Sequence, residues 1–329
     1  MLEQTVIKEL KVGDKIEGFY LLKDPQIKMT TGGKPFLRGG ISDRTGCVEM
    51  KVWDYSGMIT AADNGKVAFV SGAVSEYRGN LQVIADVIRL AEAEDQYDLA
   101  ELIPTAPIDV GQSYQDMERL VASITDDDYR VVCTAVLERF GVTLKIIPAA
   151  KSVHHAFLNG LLMHTCNMMR VADFLAGLYN ECIDRSLLLA GTLLHDIGKG
   201  REFSLSELRL VTDYSAEGNL LGHLVIGAGE VAAVAAELGI PAEKSLLLQH
   251  LILSHHGKPE HGAAVIPKCA EATLLTYIDG IDSRMEIYRE QLPNVKLGEF
   301  SGRVFALDGG DDLPTFLIPA IGTVLGSTP

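Results

Sequence analysis

Cysteine is scarce in this chain of 329 residues. Cys47, Cys133, Cys166, Cys182 and Cys269 stand far apart, with no CxxC pair and no zinc-ligand spacing. A disulfide-stapled secreted scaffold is thereby excluded, and reduced thiols in the cytoplasm are expected. A basic-then-apolar leader is also missing, because the opening MLEQTVIKELKVGD is charged, so no secretory signal is expected. No apolar run reads as membrane-spanning; Phe316–Ile321 is short and broken by Pro319, so no membrane partner is expected. Aromatics make up only 6% of the chain, with a single tryptophan, and no repeat or low-complexity tract is visible. What remains, 47% hydrophobic and 22% charged residues, is ordinary for a soluble globular protein, and the length suggests two domains.

Positive charge is in short supply overall, with 29 Lys and Arg against 44 Asp and Glu, a net charge of −15. The deficit is uneven. Residues 1–90 carry 12 basic and 11 acidic residues, whereas residues 91–329 carry 17 and 33. The N-terminal part is therefore the more tolerable surface for a polyanion. The acidic remainder would need cations to hold phosphates near its own carboxylates.

From Val12 to about Leu90 the hydrophobic pattern is two-periodic. Lys15–Leu22, Pro35–Ile41, Val48–Trp53, Val67–Val74 and Leu81–Ile88 read as five strands. Thr31-Gly32-Gly33, Asp43-Arg44-Thr45-Gly46 and Arg78-Gly79-Asn80 supply turns. Tyr55–Ala62 suits a short helix between the third and fourth strands. Five strands with that insertion have the layout of an OB-fold barrel. If Leu37, Ile41, Val48, Met50 and Val52 point inward, alternation turns Phe36, Arg38, Lys51 and Trp53 outward. Aromatics interleaved with cations suit stacked bases and paired phosphates. The alternative is a barrel with some exposed aromatics, or one whose Trp53 packs under the following helix.

Residues 91–112 read as an acidic, proline-punctuated linker. Beyond it the period is helical: Ser113–Ile124, Asp127–Phe140 with Asp126 as N-cap, His155–Tyr179, Ser186–Asp196, Asn219–Leu238, Ala242–His255 and Ala270–Glu290. From Asn294 onward an irregular tail is expected.

These helices carry ionisable groups where apolar residues would be cheaper. His195 and Asp196 end a run of leucines, His164 lies on the apolar face of its helix, His223 opens one helix and His255-His256 close another. Asp279 and Asp282 stand at i and i+3 on the last long helix. A lone histidine on an apolar face is usually a satisfied core residue. Burying all of these unpaired, however, would exceed a typical stability of about 5–15 kcal/mol. A shared metal site accounts for them together. Mixed imidazole and carboxylate donors suit transition metals, and the number of candidates suits two ions about 3.5–4 Å apart.

The order His…His-Asp…His…His-His…Asp over residues 164–282 resembles the HD-domain superfamily of metal-dependent phosphohydrolases. That resemblance maps His164, His195, Asp196 and Asp279 onto the core ligands. It maps His223, His255 and His256 onto positions that bind a second metal or a phosphate in some branches of the superfamily. Lys199, in His195-Asp196-Ile197-Gly198-Lys199, matches a phosphate-contacting lysine, the alternative being a cation complementing a helix C-terminus. With the barrel in front, the chain to about residue 309 is similar to the YhaM family of bacterial 3′→5′ exoribonucleases. The stretches His154–Thr165, Gly218–His223, Leu253–Gly257 and Gly298–Asp308 carry the likeness.

The expected architecture is thus multidomain α and β: an OB-fold barrel over 1–92, a linker over 93–112, an all-α HD-type helical bundle over 113–293 and a tail over 294–329. The resemblance implies a cytoplasmic phosphodiesterase degrading single-stranded RNA, with single-stranded DNA a further substrate and a homo-oligomer compatible. It implies one or two divalent ions, manganese foremost, with iron, cobalt, nickel, zinc or magnesium as alternatives. A water activated by the cation would attack, Lys199 would stabilise phosphoryl charge, and Asp279 or Asp282 would position or deprotonate the water. Two rivals remain: a cyclic-dinucleotide or nucleotide phosphohydrolase, and a single-stranded nucleic-acid-binding protein with an inactive HD site.

Overall fold

The protein is described by a computed structural model, in which residues 4–77, 80–150, 155, 157–206, 208–292, 295, 297, 298, 300, 301, 304 and 307 are described. Arg78 and Gly79 of the expected turn, His154 and Ala156, most of 293–306 and all of 308–329 lie outside them. The chain divides into two compact units, Met1–Pro107 with Phe203–Asp213, and Ile108–Glu202 with Tyr214–Pro329.

In the first unit, β1 (Lys15–Met29), β2 (Pro35–Asp43), β3 (Gly46–Val52), β4 (Val67–Tyr77) and β5 (Asn80–Leu90) close a barrel in the order β1-β2-β3-β5-β4. All pairings are antiparallel except β3 with β5. This is the closed Greek-key order of an OB-fold. The alternation read from the sequence holds: Leu37, Ile41, Val48, Met50 and Val52 are buried in the barrel core beside Leu22, Val70 and Val83.

The strand β1 continues past its expected end at Leu22. The ladder with β2 is interrupted between Lys23 and Gln26, because Pro25 has no N–H to donate and Asp24 adopts φ 44°. A bulge absorbs the break and the pairing resumes. The helix expected over Tyr55–Ala62 does not form. Its segment loops around the Tyr55 hydroxyl, which accepts from Ile59 N–H at 2.7 Å, and only a 3-10 turn, Ala61–Asp63, follows, capped by Thr60.

The expected linker is also more ordered than its composition suggested. It contains α1 (Leu99–Leu102) and the start of α2 (Val110–Ala122), with Leu102 and Ile103 buried and Asp109 capping α2.

The second unit holds α2, α3 (Asp127–Ile146), α4 (Gly160–Leu178), α5 (Arg185–Leu194), α6 (Lys199–Glu202), α7 (Ala216–Glu237), α8 (Ala242–Ser254) and α9 (Ala270–Gln291). Here α4 begins five residues later than expected, because His155 and Asn159 both adopt left-handed backbone. The helical region is not purely α. It emits a hairpin, β6 (Phe203–Leu205) paired with β7 (Val211–Tyr214), whose residues 203–213 group with the barrel unit. There the Asn64 side chain donates to Thr212 O at 3.0 Å.

By length and composition α7 could cross a membrane, contrary to the sequence reading. Its packing gives it another role: Leu224, Ile226, Val231 and Val234 are buried, and a break at Gly222, with φ 71° and ψ 159°, interrupts it. Of the tail, Val304 and Leu307 pack against Ile287 and Tyr288 of α9.

Candidate metal centre and nucleic-acid face

Four elements bring the expected histidines together around Asp196. In α5, leucines bury the helix and its C-terminal turn, so His195 and Asp196 end up 0% and 3% exposed. The next turn can press against α7 only because residue 198 is glycine; a Cβ there would lie 2.1 Å from His223 O. His164 comes from the buried face of α4, His223 from α7 just after its break, and His255 caps α8.

Each of four imidazoles has its Nδ1 committed to a partner behind it. His164 Nδ1 lies 2.7 Å from Asp282 Oδ2, His195 Nδ1 2.7 Å from Thr192 O, His223 Nδ1 2.9 Å from Glu202 Oε1, and His255 Nδ1 2.8 Å from Ile252 O. Such bonds fix the ring and leave Nε2 as the donor atom for a ligand. The four Nε2 atoms all face Asp196. Those of His195 and His164 lie 3.2 and 3.9 Å from Oδ2, and those of His223 and His255 lie 3.4 and 3.7 Å from Oδ1. Asp279 Oδ1 approaches His164 Nε2 from the same side at 3.4 Å. The rings of His255 and His256 are 4.4 Å apart.

Asp279 and Asp282 therefore separate. Asp279 faces the cluster, whereas Asp282 stands behind His164, its second oxygen taken by the Asn167 amide at 3.0 Å. Lys199 opens the single turn of α6, just beyond the C-cap of α5 at His195. Its ammonium is 2.5 Å from Asp196 Oδ2. Sequence reasoning missed Glu202 and Asn167; the signal in Glu202 was an acidic residue bound for burial, and nothing local marked it.

Electrostatics suit a cation. Burial by itself would raise the Asp196 carboxyl, but Lys199, His195 and His223 override it and hold it well below the ordinary carboxylate range. Burial drives His255 well below the usual imidazole value, with His195 and His256 adding to the effect. Burial would also lower His164, yet Asp279 and Asp282 push it up to about 9. Asp196 Oδ1, His223 Nε2 and His256 Nδ1 are buried without a hydrogen-bond partner, a costly state that a metal ion would relieve. Three triads, His164-His195-Asp196, His223-His255-His256 and His155-His164-Asp282, each gather ligand atoms within 4.8 Å of one another. The residues fit a divalent metal.

On the barrel, Arg38 and Lys51 are cross-strand partners, and the rings of Phe36 and Trp53 lie 5.1 Å apart. Trp53 is 50% exposed, so it is not packed under a helix. Glu49 holds both cations, at 2.9 Å from Arg38 Nε and 3.3 Å from Lys51 Nζ. Lys51 also donates to Gln82 at 2.8 Å and lies 5.0 Å from the centre of the Tyr77 ring.

Residues 161–284 match the model of the HD domain. The chain is 36% identical over 305 residues to a 3′-5′ exoribonuclease YhaM of Bacillus licheniformis, covering 91% of this chain and 94% of that one. It is 37% identical over 303 residues to the YhaM of Shouchella clausii, covering 92% and 94%, and 36% identical over 300 residues to that of Bacillus subtilis, covering 91% and 94%. Among solved structures, the OB domain of a Thermoplasma acidophilum protein aligns at a TM-score of 0.23 and 15% identity over 29% of this chain and 91% of that one. The second OB-fold domain of replication protein A from Methanococcus maripaludis aligns at 0.20 and 19%, over 29% and 98%. The assignment of the barrel rests on its strand order, and that of the family on likeness across nearly the full length of both chains: this chain belongs to the YhaM family of 3′-5′ exoribonucleases.

Proposed function

We propose that the protein is a metal-dependent exoribonuclease that removes nucleotides from the 3′ end of single-stranded RNA. The barrel, residues 1–92, would serve as the binding domain, and residues 113–293 as the hydrolytic one. The observation that carries the proposal is the set of four tautomer-fixed imidazoles whose Nε2 atoms face one buried carboxylate, in a chain of this family. His164, His195, Asp196 and Asp279 would hold one divalent ion and His223, His255 and His256 a second, with one oxygen of Asp196 toward each group. Manganese is the first choice. When bound, such ions supply Lewis acidity, lowering the pKa of water and neutralising phosphoryl charge.

The chain's own groups do the rest. Asp279 and Asp196 present carboxylate oxygens to orient a water, and Asp282 and Glu202 keep His164 and His223 in the tautomers that leave Nε2 bare. Lys199, paired with Asp196, would offer its ammonium to a phosphoryl oxygen. Phe36 and Trp53 would stack bases, and Arg38 and Lys51 would pair phosphates. An inactive binding protein is disfavoured because the ligand set is complete. Free thiols at all five cysteines support a cytoplasmic setting.

The test is a time course on labelled RNA with and without Mn²⁺ and a chelator. A 5′-labelled strand should shorten as a regular ladder, and a 3′-labelled one should release labelled mononucleotide at once. Cleavage of circular RNA would show an endonuclease. Inertness toward every strand, with turnover of a cyclic dinucleotide, would transfer the site to that substrate.

A further inference from the structure

We propose that His155, with Glu286 behind it, is a positioning residue that sets the metal affinity of the cluster through Asp282 and His164. His155 is 0% exposed and its ring centre lies 5.1 Å from that of His164. Its Nε2 is 3.4 Å from Asp282 Oδ2, the oxygen that holds His164 Nδ1, and 3.8 Å from Glu286 Oε2. Glu286 in turn pairs with Arg289, whose side chain reaches solvent. A row of ionisable side chains thus runs Arg289, Glu286, His155, Asp282, His164. Asp279, Asp282 and Glu286 stand at i, i+3 and i+7 on α9, so one helix face supplies both a candidate ligand and its support.

The backbone is arranged to deliver this ring. His155 adopts φ 58°, an uncommon and strained choice for a residue with a side chain. The conformation is pinned by its carbonyl, which accepts from Ala149 N–H at 3.0 Å. Gly160 packs so closely that a Cβ there would stand 2.2 Å from the same carbonyl oxygen. A histidine serving only to fill space would not need a strained, doubly secured backbone. An imidazole placed to restrain Asp282 would, since a ligand's supporting carboxylate orients the ring only if it is itself held.

The inference rests on the proposed metal site, and the experiment separates the two. The full chain is stripped with chelator and titrated with Mn²⁺ alone by calorimetry, alongside His155→Ala, His155→Asn, Glu286→Gln and Val132→Ala. Asparagine tolerates left-handed backbone and keeps the fold if alanine does not; Val132 is a fully buried core position on α3 and controls for loss of stability. Both His155 variants should bind Mn²⁺ about 10–100-fold more weakly, Glu286→Gln should be weakened in the same direction, and Val132→Ala should match the wild type. Wild-type affinity in a folded His155→Asn protein overturns the positioning role, and so does equal weakening in Val132→Ala. Failure of the wild type itself to take up Mn²⁺ refutes the metal site, and the inference falls with it.

Discussion

Replacing Glu202 with alanine removes one carboxylate that serves His223 twice. Oε1 accepts from the His223 backbone N–H and from Nδ1, both at 2.9 Å, and Glu202 is buried. The break at Gly222 makes His223 the start of a new helical segment, whose N–H groups need an acceptor. Losing a cap costs about 1 kcal/mol, and a hydrogen bond to a charged group contributes about 1.5–3 kcal/mol. The variant should therefore lose about 2–4 kcal/mol of stability, or roughly 5–15 °C in melting temperature for a helical unit of this size. Measurement in chelator removes any contribution from metal. Far-UV ellipticity follows the helices, and fluorescence of Trp53 reports the barrel separately. Glu202→Gln keeps a carbonyl acceptor without its charge and should lose less than half as much. A Glu202→Ala protein within about 0.5 kcal/mol of wild type, with unchanged Mn²⁺ uptake, would show that neither the cap nor the tautomer depends on this residue.

Asp196→Ala should lose metal uptake and hydrolysis together, since both proposed ion positions share its oxygens; activity in chelator would refute this. Trp53→Ala should weaken RNA binding by about 1–3 kcal/mol in a filter-binding titration, with little effect on the melt because the ring is half exposed. Glu49→Gln should release Arg38 and Lys51 for phosphates, tightening binding at low salt and steepening the log–log salt dependence by about 0.7 per added contact; an unchanged slope would show the cations are not used. Asp126 caps α3 and pairs with Lys244 at 2.6 Å. Against the raising effect of burial, that pairing and the Tyr129 N–H hold its carboxyl below the ordinary value. A depressed carboxylate stabilises above the unfolded pKa of about 3.9 and loses that contribution as pH falls through the lower folded one. Asp126→Asn, which keeps the cap, should then melt below wild type at pH 7, with the difference shrinking as pH falls below the unfolded value of about 3.9.

Much of the barrel was legible because its strands obey a period of two: once Leu37 and Met50 are inside, Arg38, Lys51 and Trp53 must be outside. Its exceptions came from pairing. That β1 survives Asp24-Pro25 depends on β2 offering a register on both sides of the bulge, and Tyr55–Ala62 fails as a helix because one hydroxyl captures the Ile59 N–H. The strands β6 and β7, three and four residues long, are too short to show any period.

The sequence by itself determined which donors could meet, since histidines and aspartates on apolar helix faces are too costly to bury without a purpose. It could not determine which nitrogen of each ring would face the others. For two rings that is settled by partners remote in the chain, Asp282 for His164 across 118 residues and Glu202 for His223 across 21, whereas His195 and His255 are held by the local carbonyls of Thr192 and Ile252. Nor could it separate Asp279 from Asp282, which share a helix and a composition. The tertiary structure decides, because a ligand's orientation is set by what packs behind it, and only the folded chain brings that second layer into place.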